Sequence, residues 1–176
     1  PPCPSHGVRI VEAVAYRERG FTPERPPTLW SMGPDVVVQA GTTSKTFFPG
    51  VRLGWAVGPP AVVAQMIIAK QNSDQCASAF AQRLLEEYMR GGHLDPQLRI
   101  SNSIYAHRCC LMLDALEQYM PKAITWTRPA GGFFTWLTGP ETLDTVALAQ
   151  RAREAGGAFV PGRPFNAQHE GLTHMA

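Results

Sequence analysis

The chain has 176 residues, 44% of them apolar and 17% charged, so it can bury a core and is not a disordered tail. Sixteen basic against 14 acidic residues give a net charge of +2, too even to make nucleic acid or an anionic membrane the main partner. Sixteen glycines and sixteen prolines predict many turns rather than a helical bundle, and no apolar run approaches the ~20 residues of a membrane-spanning helix.

In chain order, Val8-Arg9-Ile10-Val11 reads as a short strand. The stretch from Gly20 to Pro34, with Pro23, Pro26 and Pro27 inside it, reads as loop. Val36-Val37-Val38 is a continuous β-branched run, the pattern of a strand buried on both faces of a parallel sheet. A turn of small residues, Gly41-Thr42-Thr43-Ser44, leads to Lys45. Residues Val51 to Val57 read as a further strand, closed by Gly58-Pro59-Pro60.

Val62, Val63, Met66, Ile67 and Lys70 fall at helical spacing, as do Phe80, Leu84, Leu85 and Tyr88, with Gly91-Gly92 as a stop. From Asp95 to Met120 runs one long helix. Its apolar stripe is Leu98, Tyr105, Cys109, Met112, Leu116 and Tyr119, and at ~1.5 Å per residue it reaches about 39 Å, enough to bridge two domains. Beyond Pro121 the spacing predicts strands at 124–127, 133–137 and 158–160 and a helix over 143–155. The domain boundary is expected near Ser101, giving domains at 1–100 and 101–176.

The four cysteines (3, 76, 109 and 110) lack the spacing of a zinc site. The adjacent pair would point in different directions on a helix, which disfavours a mutual disulfide. Reduced thiols, and an N-terminus without the basic and apolar segments of a secretory signal, lead to the expectation of a cytoplasmic protein. His6, His93, His107, His169 and His174 are scattered and read as surface or capping residues, so no metal is expected.

The chemistry is concentrated in Thr42-Thr43-Ser44-Lys45-Thr46-Phe47-Phe48-Pro49-Gly50-Val51-Arg52-Leu53-Gly54-Trp55. A phosphate-binding P-loop needs glycine directly before the lysine, and Ser44 stands there instead. The lysine instead sits at the end of a buried strand, among hydroxyls and ahead of two phenylalanines. In a partly dry pocket beside another cation, such an amine loses proton affinity and becomes nucleophilic. The hydroxyls of Thr42 and Ser44 with the forked guanidinium of Arg52 suit a phosphate dianion. A carbonyl-seeking amine beside a phosphate cup is what pyridoxal 5'-phosphate requires. Taken singly, each residue has a plainer reading: a solvated lysine, or an arginine paired with an acid.

The pattern Ser-Lys-x-x-x-Pro-Gly-x-Arg-x-Gly-aromatic, from Ser44 to Trp55, resembles the class I/II aminotransferases of fold-type I. The branch it looks most like holds the 2-aminoadipate-type transaminases and the aminotransferase-like half of MocR-type regulators. The likeness continues through Gly92-His93-Leu94, the long helix, the segment from Arg128 to Trp136, and Ala158-Phe159-Val160-Pro161-Gly162. It implies an α/β fold: the end of a mainly parallel large-domain sheet, a bridging helix, and a small α+β domain.

By that resemblance Lys45 would bond the cofactor aldehyde and later shuttle the substrate's α proton. Thr42, Ser44 and Arg52 would hold the phosphate, and Tyr16 would hydrogen-bond the phenolic oxygen. The implied reaction moves an amino group between an amino acid and a 2-oxo acid, in a homodimer. The alternatives are the effector-binding half of a MocR-type regulator, or a noncatalytic remnant of the fold.

Three departures from the family are visible. Its aspartate for the pyridine nitrogen falls at Ala13. Glu12 cannot replace it, because neighbours in a strand face opposite sides. The arginine that grips the substrate carboxylate falls at Ala176 or beyond, and the family's first half, with the residues that would name the substrate, is expected to precede this sequence.

Overall fold

A computed structural model describes residues 7–166 and 173–176 of the chain; Cys3, His6 and His169 lie outside the described residues. The chain divides into two compact units, Pro1–Ile104 and Tyr105–Ala176.

In the first unit β1 (Ile10–Ala13) runs parallel to β2 (Val37–Thr42), which pairs antiparallel with β3 (Gly54–Val57). The β-branched start of β2 explains its central place: Val37 and Val38 are buried, and the ladder continues into Gln39, also buried. The first strand lies two residues later than the spacing of Val8 to Val11 predicts, because the hydrogen-bonded register begins at Ile10 opposite Val37. Between β1 and β2 the proline-rich loop contains one helical turn, α1 (Leu29–Met32), which Thr28 caps by accepting from the Ser31 amide.

Helix α2 (Pro60–Ser73) starts with a proline in its first turn, where the missing N–H costs nothing. Helix α3 (Ala79–Arg90) is capped by Ser78, whose hydroxyl accepts from the Ala81 amide, and it ends at Gly91 and at Gly92, which takes φ +71°. Of the stripe read off the apolar spacing of α3, Leu85 and Tyr88 turn inward while Phe80 and Leu84 are exposed. Ala81 and Leu85 pack with Val51, Leu53, Phe47 and Ala77, whereas Phe80 is 79% exposed.

Helix α4 (Leu94–Tyr119) is 26 residues long, and the division between the two units falls inside it. Leu98 and Leu116 of its expected stripe are buried, but Met112 and Tyr119 are exposed.

The second unit is a small antiparallel sheet in the order β4 (Thr125–Trp126), β5 (Leu137–Thr138), β6 (His174–Met175), with α5 (Thr145–Glu154). Its core joins Leu116, Leu137 and Met175, with Ile124, Trp126 and Phe159 packed against them. Asp144 caps α5 by accepting from the Val146 and Ala147 amides at 2.9 and 3.1 Å.

Strand pairing here is shorter than the spacing predicts. Of residues 133–137 only Leu137 is in a strand; Phe133 stacks on Tyr105 at 4.5 Å and Phe134 is exposed, so this aromatic group is not strand core. Residues 158–160 form no strand of their own, yet Val160 exchanges backbone hydrogen bonds with Ala176 at 2.7 and 2.9 Å, and Pro161 bridges to Met175. Among the described residues no helix is long and apolar enough to cross a membrane, and Cys76, Cys109 and Cys110 are free thiols.

Candidate cofactor site

The β2–β3 connection is built to hold a lysine in place. Thr43 starts it, donating its amide to the Leu53 carbonyl at 3.1 Å while its own carbonyl accepts from the amides of Thr46 and Phe47 at 3.2 and 2.8 Å. Phe47 then anchors the turn, with its ring 4.9 Å from Tyr88 of α3 and 4.8 Å from Phe48. The chain therefore folds back on itself around Lys45, which is half-buried. Its Nζ lies 5.6 Å from the centre of the Tyr16 ring, within range of a cation–π contact. Tyr16 stands just past β1, at the head of a 3-10 turn over Arg17–Arg19.

On the other side of the turn, Thr42, Ser44 and Arg52 converge. The Thr42 hydroxyl lies 3.0 Å from Ser44 Oγ and 3.2 Å from the Leu53 carbonyl, and the Ser44 amide donates to Thr42 Oγ1 at 3.1 Å. Arg52 Nη1 donates to Ser44 Oγ at 3.3 Å and to the Pro49 carbonyl at 3.0 Å. These are two hydroxyls, an amide and a guanidinium, all donors or able to be, within one short segment. That composition fits an anion with several acceptor oxygens.

Arg52 reaches the cluster through an unusual backbone. It ends the 3-10 turn Pro49–Val51 in the left-handed conformation, φ 54° and ψ 37°. For a residue with a Cβ this costs on the order of 1 kcal/mol, and such strain concentrates at binding sites. Nothing in the spacing of the motif foretells it. The sheet beside the cluster is equally tight: the Trp55 indole lies over Gly41, where any Cβ would meet it at 2.4 Å.

Glu12 and Ala13 face opposite ways, as the alternation of β1 requires. The Glu12 carboxylate accepts from the Leu29 and Trp30 amides at 2.8 and 3.1 Å and from Gln39 Nε2 at 3.0 Å, so it is committed to the first turn of α1. Burial pushes its pKa up, but the bonds from Gln39, Leu29 and Trp30 and the charge of Arg17 outweigh this and hold it below the ordinary carboxylate value. Ala13 offers no charged group on the other face. The position that the resemblance gives to the pyridine-nitrogen partner therefore carries no polar side chain.

One residue near the lysine escaped the sequence reading. Arg19 is buried, and its Nε donates to the main-chain carbonyl of Lys45. The only signal was the run Arg17-Glu18-Arg19 directly after Tyr16, which reads as a solvated turn.

Comparison with known proteins sets this arrangement in a family. Residues 3–173 match the model of aminotransferase class I and II. The chain is 37% identical over 163 residues to an aromatic-amino-acid aminotransferase of Thermococcus litoralis, covering 92% of this chain and 39% of that protein. It superposes with TM-score 0.91 and 34% identity on an alpha-aminoadipate aminotransferase of Thermus thermophilus solved with N-(5'-phosphopyridoxyl)-L-leucine, covering 97% of this chain and 45% of that one. It is also 35% identical to an uncharacterized HTH-type transcriptional regulator of Bacillus subtilis, over 84% of this chain and 31% of the regulator. The chain thus spans less than half the length of the relatives it matches. A family-model match along almost its whole length makes this chain a member of the class I and II aminotransferase family.

Proposed function

We propose that the chain is the lysine-bearing part of a pyridoxal 5'-phosphate-dependent aminotransferase that exchanges an amino group between an amino acid and a 2-oxo acid. The observation that carries this reading is the convergence of Thr42, Ser44 and Arg52 in the same turn as a half-buried Lys45 whose amine lies over Tyr16. In this reading residues 1–100 belong to a large cofactor-binding domain and 101–176 to a small domain, the working unit is a homodimer, and its free thiols suit the cytoplasm.

The residues fit the cofactor at three of its four polar points. The donors of Thr42, Ser44 and Arg52 would hold the phosphate, the Tyr16 hydroxyl would donate to the phenolic oxygen, and the Lys45 amine would condense with the aldehyde with loss of water. The pyridine nitrogen has no partner at Ala13. When bound, the cofactor supplies an electron sink for the bond broken at the substrate's α carbon. Lys45, once released as a free amine by the incoming substrate amine, would take the proton from that carbon and return it at the neighbouring position. Arg52 and Ser44 would keep the cofactor from sliding, since small displacements of reacting atoms are costly.

The second reading, a cofactor-binding effector domain of a MocR-type regulator, is favoured by Ala13 and by the similarity to the Bacillus subtilis regulator. Binding needs the phosphate cup and the amine but not the electron sink. The test is to add pyridoxal 5'-phosphate, reduce with borohydride, and map the modified peptide. Modification at Lys45 with transfer of amino groups supports the enzyme; modification without transfer supports the effector domain. No modification at Lys45 overturns both.

A further inference from the structure

The Lys45 amine lies over the Tyr16 ring, while its main-chain carbonyl is met by Arg19. Arg19 is 5% exposed, and its guanidinium spreads between two distant parts of the first unit. Nε donates to the Lys45 carbonyl, while Nη1 donates to Ser101 Oγ and, at 3.1 Å, to Asn102 Oδ1 on α4. The receiving groups are themselves fixed. Ser101 Oγ donates to the Leu98 carbonyl at 3.1 Å, and Asn102 Nδ2 donates at 2.8 Å to the carbonyl of Glu18, the residue before Arg19. The result is a closed ring of hydrogen bonds from the 3-10 turn after Tyr16 to α4, with one arm on Lys45.

We propose that Arg19 is a positioning residue for Lys45, setting the height of the lysine's main chain against α4; the proposal rests on reading Lys45 as the amine that binds the cofactor. A buried cation is costly unless its donors are used, and here the planar fork uses them on three acceptors in fixed directions. A plain packing role would need bulk, not this geometry. Loss of the arm removes a charge-assisted bond on the Lys45 carbonyl, and a shift of that carbonyl is carried to the amine at the end of the four-carbon chain. Because Tyr16 lies three residues before Arg19, the same ring also ties the tyrosine over which the amine sits.

The experiment compares wild type with Arg19→Met, Arg19→Lys and the double variant Ser101→Ala/Asn102→Ala. The readout is the concentration of pyridoxal 5'-phosphate that half-saturates borohydride-trapped modification of Lys45, with melting temperature measured alongside. Val37→Ala, a core change at the opposite end of β2, serves as a control for stability alone. We expect Arg19→Met to raise the half-saturating concentration by roughly tenfold or more. The double variant should move it the same way by a smaller factor, with Arg19→Lys between, and Val37→Ala should lower melting temperature and leave it unchanged. A folded Arg19→Met that saturates like wild type overturns the inference, as does Val37→Ala weakening capture by the same factor. Should Arg19→Met not fold, the double variant decides on the same readout. A wild type that never gains the modification at Lys45 overturns the functional reading itself, whereas a modified wild type with indifferent variants sinks this inference alone.

Discussion

At Arg52 two demands compete within one residue. The backbone there takes a left-handed conformation that glycine adopts freely, yet the side chain is a guanidinium bonded to Ser44. Arg52→Gly therefore separates stability from binding. Relief of strain and loss of the side chain's bonds roughly cancel, so thermal or urea unfolding should stay within about 1 kcal/mol of wild type. Capture of pyridoxal 5'-phosphate should fall by an order of magnitude or more, because a charge-assisted contact to the phosphate is gone. Ala13→Asp tests the other end of the same site. It places a carboxylate on the face of β1 away from Glu12, and titration should show pyridoxal 5'-phosphate captured several-fold more tightly. Unchanged affinity would mean that β1 does not pass the pyridine nitrogen. Glu12 itself has a lowered pKa, so the stability it contributes is present above the ordinary carboxylate value and disappears as pH falls through its lowered folded value. Denaturation of Glu12→Gln followed from pH 7 to pH 3 should lose that part of the acid sensitivity and be less stable than wild type at neutral pH.

Among the elements, α3 does most to hold the lysine turn. Its Ala81 and Leu85 close over Val51, Leu53 and Phe47, and the Tyr88 ring meets Phe47. Leu85→Ala should destabilise by roughly 2 kcal/mol in urea unfolding, at the lower end for a leucine because the side chain is only partly buried, and should weaken cofactor capture as the turn loosens. At α5 the capping carboxylate of Asp144 belongs to the second compact unit. Asp144→Ala should cost about 1 kcal/mol and leave capture untouched. Much of this was legible beforehand. The β-branched run marks β2, the Gly91-Gly92 stop ends α3, and the lysine motif identifies the turn. Less legible was which face of α3 turns inward, because Phe80 and Leu84 match helical spacing as well as Ala81 and Leu85 do. The short strands at 137–138 and 174–175 were hidden for a related reason. Their pairing depends on residues far apart in sequence, and two-residue strands carry no alternation.

Across the whole chain, the site shows where local pattern ends and tertiary placement begins. Lys45, Ser44 and Arg52 lie within one motif, so the sequence reading could name them together, whereas Arg19 joins Lys45 and Asn102 across 26 and 83 residues and belongs to no local pattern. The exposed apolar residues Phe80, Met112 and Tyr119 belong to a chain that spans less than half of its relatives' length. The account depends most on a phosphate cup working beside a reactive amine, and a comparison of two aldehydes addresses both parts. Pyridoxal 5'-phosphate and pyridoxal share the aldehyde and differ in the phosphate. Borohydride-trapped modification of Lys45 should reach half-saturation at a concentration at least about tenfold lower for the phosphorylated aldehyde, and Arg52→Gly should erase most of that difference. Equal half-saturation for the two aldehydes in the wild-type protein, or modification spread over Lys70 and Lys122 as readily as Lys45, would contradict it.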